Sequence, residues 1–135
     1  MFSKPRYGWS DVSLGNFKGR CSYLTDVPVD ILNAFINAIK YDLPASVFFE
    51  EEGSEFILVS SLYNTYIISD RKETKLYQSE VSIFELAKEI ISDIDTNLDE
   101  WIDWMNYQDY DSKERTFLLS TKIDELKKLN IKSKT

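Results

Sequence analysis

The chain has 135 residues, of which 23 are acidic and 16 are basic, so its formal net charge is -7. A hydrophobic fraction of 43% is much too high for a disordered acidic chain, and the length fits one domain with one core. The excess of carboxylates argues against a protein that binds nucleic acid through its phosphates, because that affinity comes mainly from lysine and arginine.

The apolar runs of the sequence predict a soluble protein of the cytoplasm. The segment MFSKPRYGW lacks the apolar centre of a secretion signal, and VFF, FILV and YII are far shorter than the roughly twenty residues of a membrane-crossing helix. The single cysteine, Cys21, has no partner for an internal disulfide. We therefore expect it to be a small buried side chain in a reducing compartment.

A tight hairpin and a helix are predicted for the first third of the chain. Hydrophobicity alternates along GWSDVSLGNFKGRCSYL, and Gly15 and Asn16 in its middle tolerate the positive φ of a short turn. In TDVPVDILNAFINAIKYDLP the apolar period becomes helical, with Asp26 as the predicted N-cap, Pro28 in the first turn and Pro44 beyond the end. The sequence thus predicts two strands and one amphipathic helix.

Four short strands are predicted next. β-branched and aromatic residues dominate ASVFFEE, EFILVSS, LYNTYIIS and ETKLYQS, and turn residues separate these runs. The pattern is typical of an antiparallel meander. The successive carboxylates Glu50, Glu51 and Glu52, which precede Gly53, are expected to lie in a solvated turn.

The second helix has the clearest start signal in the sequence. Ser82 and Glu85 form a capping box, and Val81 and Leu86 occupy the two positions of a hydrophobic staple. Because the cap side chain accepts a hydrogen bond from an otherwise unsatisfied amide, we expect the helix to begin directly after Ser82.

From that start, apolar residues at 3.6-residue spacing predict one long helix through Met105, with a bend near Thr96 and Asn97. A last helix is predicted from about 113 to 129. Its apolar side comprises Thr116, Leu119, Ile123 and Leu126.

These predictions give the order ββ-α-ββββ-αα. The fold class is α+β, with an antiparallel sheet of about six strands packed against helices. We expect a single domain over residues 1–135, in which residues 127–135 form a partly frayed tail.

One segment holds the whole charge imbalance of the chain. DIDTNLDEWIDWMNYQDYD, residues 93–111, contains seven carboxylates and four aromatic residues three apart, but no lysine or arginine. Alternating polar residues resemble the early ligands of a calcium loop: Asp93, Asp95, Asn97 and Asp99. However, Leu98 replaces the glycine of such a loop, Trp104 replaces its bidentate glutamate, and alternate residues of a helix diverge by about 200°. We expect no metal and no cofactor.

The same segment is better explained as a surface that binds a protein. When the apolar stripe of the helix faces inward, its carboxylates face outward, and Trp104 lies about 100° from the stripe, at the border of core and solvent. Tryptophan and tyrosine are enriched among binding hot spots, and carboxylates attract a basic partner. The predicted partner-binding residues are Asp93, Asp99, Glu100, Asp103, Trp104, Tyr107, Asp109, Tyr110 and Asp111. Alternatively, Trp104 and Tyr107 pack inside the protein and the acids only solvate the helix.

The residue types that are missing argue against an enzyme. The sequence has no histidine, which removes the usual general base and the commonest zinc ligand, and it has no phosphate-binding glycine motif. A noncatalytic binding protein, monomeric by preference, is the leading interpretation. Two alternatives stay open: a carboxylate-dependent, metal-assisted hydrolase, and a structural module that self-associates through its aromatic residues.

A resemblance agrees with the leading interpretation. KPRYGWSDVSLGNFKGRCSYLTDVPVDIL, followed by FFEEEGSEFILVSS, resembles the small acidic immunity proteins of bacterial contact-dependent growth inhibition and related polymorphic toxin systems. The resemblance lies in the general character of the sequence over roughly the first sixty residues and in the size of the whole chain. It assigns no functional residue. It implies an intracellular inhibitor that neutralises one cognate toxin domain, often a basic nuclease.

Overall fold

A computed structural model describes residues 1–105 and 111–134 of the chain, with side chains as far as Ile131. The elements in chain order are β1 (Trp9–Leu14), β2 (Phe17–Ser22), α1 (Val27–Tyr41), β3 (Ala45–Glu50), β4 (Glu55–Ser60), β5 (Thr65–Ser69), β6 (Lys75–Ser79), α2 (Ile83–Thr96), α3 (Leu98–Ile102), a 3-10 turn (Asp103–Met105) and α4 (Ser112–Lys134). The α+β class and the predicted order are confirmed. The six strands form two antiparallel sheets, the hairpin β1-β2 and the meander β3-β4-β5-β6.

The hairpin β1-β2 forms because a tight turn connects two segments in which polar and apolar residues alternate. Leu14 pairs with Phe17 at the end of the ladder, and Gly15 between them adopts a φ of +55°, which glycine reaches without strain. Further along β2, a Cβ on Gly19 would lie 2.6 Å from the ring of Phe17. Glycine is therefore required at position 19 by close packing.

The core lies between the inner face of the four-stranded sheet, the hairpin and the helices. Phe17 of the hairpin packs against Phe56, with ring centroids 4.8 Å apart, and against Tyr77 at 5.2 Å. Phe49 stacks on Phe56 at 4.8 Å. Cys21 is fully buried, as predicted, and this burial raises the pKa of its thiol well above the usual range. The thiol therefore stays protonated and unreactive.

The start of α1 differs from its prediction. Pro28 does lie in the first turn, but the side chain of Asp26 makes no capping hydrogen bond. Its carboxylate instead accepts two hydrogen bonds from the guanidinium of Arg115, at 2.9 and 2.7 Å. A bidentate, charge-assisted pair is stronger than a capping bond to a neutral amide, so Asp26 links α1 to α4.

The helix after Ser82 begins as predicted. The Ser82 hydroxyl accepts a hydrogen bond from the backbone N–H of Glu85 at 3.2 Å, and Leu86 is buried one turn further on. The expected bend is confirmed and is a break, because Asn97, at φ -116° and ψ 40°, separates α2 from α3.

The last helix, α4, continues to Lys134, beyond the predicted end at Leu129. Leu119, Ile123 and Leu126 face the core as predicted, whereas Thr116 is exposed and its place in the buried stripe is taken by Arg115. A hydrophobicity pattern does not identify this arginine, because a guanidinium is buried only where acceptor groups form hydrogen bonds or ion pairs with it. Among the helices of the described residues, none is long and apolar enough to cross a membrane.

Candidate protein-binding surfaces

The first candidate is the acidic helix surface, which we define as the carboxylates of α2, α3 and the 3-10 turn: Glu85, Glu89, Asp93, Asp95, Asp99, Glu100 and Asp103. Five of them are exposed, and Asp93 and Glu100 are half-buried. The amphipathic pattern of α2 puts Ile90 and Ile94 in the core, so the carboxylates lie on the other side of the helix.

Several of these carboxylates are held by cations from other parts of the chain. Asp93 accepts hydrogen bonds from the amino group of Met1 at 2.8 Å and from the backbone N–H of Phe2 at 2.9 Å, and Glu89 binds the same amino group. Burial alone would lower the pKa of the Met1 amino group, but the hydrogen bonds and charges of Asp93 and Glu89 raise it above its ordinary value. The start of the chain is thereby tied to α2.

Two lysines complete this set of ion pairs. Lys4 lies 3.2 Å from Glu100, and Lys127 of α4 lies 3.5 Å from Asp95. The backbone amide of Glu100 and then Lys4 lower the pKa of the Glu100 carboxyl, so it stays ionised near neutral pH. Both pairs are at the surface, where an ion pair adds little stability.

The acidic helix surface nevertheless stays negative. Residues 83–105 contain seven carboxylates and a single basic residue, Lys88. From outside the segment, the Met1 amino group pairs with Glu89 and Asp93, Lys4 pairs with Glu100, and Lys127 pairs with Asp95. An excess of negative charge therefore faces solvent.

Trp104 does not belong to this surface, and its expected exposure at the border of the core is wrong. Its side chain is 2% exposed, and its Nε1–H donates a hydrogen bond to the carbonyl oxygen of Thr25 at 2.8 Å. The expectation continued α-helical geometry through Met105, with no more than a bend near Asn97. The break at Asn97 and the 3-10 turn change the direction of the side chain, because residues three apart eclipse in a 3-10 turn. Trp104 thus follows Trp101 into the core, with ring centroids 5.0 Å apart.

The remaining predicted partner-binding residues follow Met105 in the sequence. Tyr107, Asp109 and Tyr110 are outside the described residues. Asp111 is exposed, and its Oδ1 accepts hydrogen bonds from the backbone N–H groups of Lys113 at 2.9 Å and Glu114 at 3.3 Å. This is the geometry of an N-cap, so Asp111 has a structural role at the start of α4.

The second candidate is a surface that the sequence patterns did not reveal, the outer face of the four-stranded sheet. Four apolar residues, one from each strand, are paired in register across it: Phe48 with Ile57, Ile57 with Ile68, and Ile68 with Leu76. Their exposures are 42%, 38%, 42% and 60%. At the usual strand spacing this row is about 14 Å long. Val59 and Tyr66, which pair beside the row, are half-buried on the same face.

We call these six residues the outer sheet face. Their strand neighbours Val47, Phe49, Leu58 and Ile67 are buried on the opposite side, which is why the strands are apolar on both faces. Antiparallel sheets more often place polar residues on their solvated face. Contiguous exposed apolar patches are uncommon on soluble proteins and mark sites of interaction.

One end of the outer sheet face carries three carboxylates, which we call the acidic end: Glu50, Glu55 and Asp70. Glu50 and Glu55 are register partners, and Asp70 Oδ1 accepts the backbone N–H of Glu55 at 2.8 Å. Within residues 1–105 and 111–131, no lysine or arginine forms an ion pair with any of the three. The apolar row is thus bordered by uncompensated negative charge.

The third candidate is a polar cleft of about 680 Å³ between the hairpin and the β3-β4 and β5-β6 turns. Glu51 lies in it and is only 6% exposed, so the expectation of a solvated turn is wrong for this residue. Its carboxylate accepts hydrogen bonds from the Arg71 guanidinium, from the Ser54 hydroxyl at 2.9 Å and from the Arg20 backbone N–H at 3.2 Å. Because these donors come from three elements, Glu51 holds the two sheets together.

A metal site is not formed by the residues that the structure describes, since no three potential ligand side chains come together there. Glu51 is occupied by its protein donors, and the carboxylates of the acidic helix surface are spread along one side of a helix. Comparison with protein-family models, with curated proteins and with solved structures finds no match to this chain. Function is therefore inferred from the acidic helix surface and the outer sheet face themselves.

Proposed function

We propose that this chain is a noncatalytic binding protein of the immunity type, which neutralises a basic toxin domain, of the nuclease class, inside the cell that makes it. The single observation that carries the proposal is the excess of carboxylates on α2 and α3, which hold six carboxylates against Lys88 and the cations that pair with them, the Met1 amino group, Lys4 and Lys127. Such a surface attracts a positively charged protein and speeds its encounter.

The composition of the chain agrees with a role that needs no chemistry of its own. With no histidine in the sequence and with Glu51 engaged by three donors, the residues available for general acid-base catalysis are few. An inhibitor requires only a complementary surface. A basic nuclease binds the phosphates of nucleic acid through its positively charged residues. An acidic inhibitor therefore competes with nucleic acid for those residues.

The test is capture of the partner from the source organism, followed by expression of that partner alone. We expect a protein with a pI above about 8, whose expression arrests growth unless this chain is co-expressed. The double substitution Glu85→Lys and Asp99→Lys should slow association at least about tenfold at low salt, because it removes attraction at a distance. A partner that is acidic, or harmless when expressed alone, would overturn the proposal.

The matched control is the double substitution Asp124→Lys and Glu125→Lys on α4. Both residues are exposed, and the substitutions change the net charge by the same amount. If the two double variants slow association equally, then only the overall charge matters and the acidic helix surface has no special part in binding.

A further inference from the structure

We propose that the outer sheet face is a docking surface for a protein segment that combines apolar side chains with lysine or arginine at one end. This inference rests on the proposed function, because it names the surface with which the partner makes direct contact. The acidic helix surface then acts at a distance, and the outer sheet face makes the short-range contact.

The apolar row supplies the centre of such an interface. Ile57 and Ile68 lie on the two central strands, and Phe48 and Leu76 extend the row to both edges. Binding energy is concentrated in apolar and aromatic residues at the centre of an interface, where a partner excludes water from them. A sheet face of this kind can receive a helix or a strand pair laid across it.

The acidic end determines the charge of the occupant. Glu50, Glu55 and Asp70 border the row at one end of the strands, and no described lysine or arginine neutralises them. At the opposite end, the row is bordered by the uncharged Ser46 and Gln78. A complementary partner therefore carries its positive charge at one end of its apolar segment, which also fixes the direction in which it lies.

A second copy of this chain fits the surface less well. Each copy has a formal net charge of -7, so self-association brings like charges together. When two copies place their acidic ends on each other, six uncompensated carboxylates meet. A basic protein segment relieves the same repulsion that a second copy increases.

The test uses peptides selected from a random library displayed on phage against the native chain, which needs no knowledge of the partner. We expect the selected peptides to combine leucine, isoleucine, phenylalanine or tryptophan with lysine or arginine. Their affinity should fall at least about tenfold in the Ile57→Lys variant, because a charge then lies in the middle of the row. Leu76→Lys is a second variant, in case Ile57→Lys lowers stability, because Leu76 is more exposed than Ile57.

The control is Leu118→Lys on α4, where the native leucine is 39% exposed, almost the same as the 38% of Ile57. It should leave peptide binding unchanged. The triple variant Glu50→Gln, Glu55→Gln and Asp70→Asn keeps one oxygen acceptor in each side chain but removes the charge. We expect it to weaken binding severalfold and to reduce its dependence on salt.

The possible results separate this inference from the proposed function. Selected peptides that bind Ile57→Lys and Leu76→Lys as tightly as the native chain, but lose affinity in the Glu85→Lys, Asp99→Lys variant, would overturn the docking surface and leave the proposed function standing. Peptides without any excess of lysine or arginine would count against both. Sedimentation that shows a dimer of the native chain and a monomer of Ile57→Lys would assign the surface to a second copy and overturn the inference.

Discussion

The acidic helix surface and the outer sheet face differ in how their side chains are used within the protein. On the helix side, Asp93 and Glu89 bind the amino group of Met1, Glu100 pairs with Lys4, and the aromatic ring of Trp104 fills the core. On the sheet side, the apolar row stays exposed, and no cation of the described residues forms an ion pair with the acidic end. Aromatic residues in an acidic segment are therefore no sign of a contact surface by themselves.

The two surfaces also differ in the contribution that each can make to binding. Charge acts over roughly a Debye length, about 8 Å at physiological salt, so partly paired carboxylates still affect association. Apolar contact acts only where surfaces touch and mainly determines the rate of dissociation. We accordingly propose that the acidic helix surface attracts the partner and that the outer sheet face makes the direct contact with it.

The largest effect on stability is expected for Trp104→Ala. The native indole is buried and donates to the carbonyl oxygen of Thr25, so its removal leaves a cavity and an unsatisfied acceptor. We expect the free energy of unfolding in urea to fall by about 3–5 kcal/mol. Trp104→Phe, which keeps an aromatic ring, should lose less. A loss below about 0.5 kcal/mol for Trp104→Ala would indicate instead that Trp104 is exposed and belongs to the acidic helix surface.

A somewhat smaller effect is expected for Arg115→Met. The buried guanidinium donates to Asp26 and, through Nε–H, to the carbonyl oxygen of Ile102 at 2.8 Å, so it anchors the end of α3 to α1 and α4. Loss of the arginine leaves the Asp26 carboxylate without its partner, at a cost of about 3 kcal/mol. The measurement is again unfolding in urea, with Lys113→Met as an exposed control that should change stability by less than about 0.5 kcal/mol.

A moderate, pH-dependent effect is expected for Asp93→Asn. At neutral pH the variant should lose about 1–2 kcal/mol, because the carboxylate accepts a charge-assisted hydrogen bond from the Met1 amino group. Folding raises the pKa of the Met1 amino group, so the stability from this contact is fully present below a pH of about 8 and is lost as the pH rises through the higher pKa of the folded state. The difference between native chain and variant should therefore shrink between pH 7 and pH 10. A difference that stays constant would contradict the contact.

The smallest effect is expected on the outer sheet face. Leu76 is 60% exposed on the edge strand β6, so Leu76→Thr removes little buried surface and keeps a residue type that suits a strand. The free energy of unfolding should change by less than about 0.5 kcal/mol, while affinity for the selected peptides falls. A loss of stability above about 2 kcal/mol would show that the apolar row supports the fold instead of serving a partner.

The fold was predictable where local signals agreed. The hairpin turn at Gly15, the cap at Ser82 and the change from period two to period 3.6 each identify one element without reference to the rest of the chain. Asp26, Glu51 and Arg115 were not predictable, because their partners are distant in sequence and a charged residue is buried only where those partners meet it. No local pattern contains that information.

The candidate site was predictable only in part, for a related reason. The exposed carboxylates of α2 follow from helical periodicity, but the orientation of Trp104 depends on the 3-10 turn after Ile102. In β3, β4 and β5, consecutive apolar residues are also typical of strands covered on both faces. Only the tertiary arrangement shows that helices and the hairpin cover one face and leave the other open.

The proposed contact between a partner and the outer sheet face can be tested directly by NMR. The backbone amide resonances of the isotope-labelled chain are followed while a selected basic peptide is added. We predict that the largest shifts occur in β3 to β6, at Phe48, Ile57, Ile68 and Leu76 and their neighbours. Shifts confined to α2 and α3, with the sheet resonances unchanged, would contradict it.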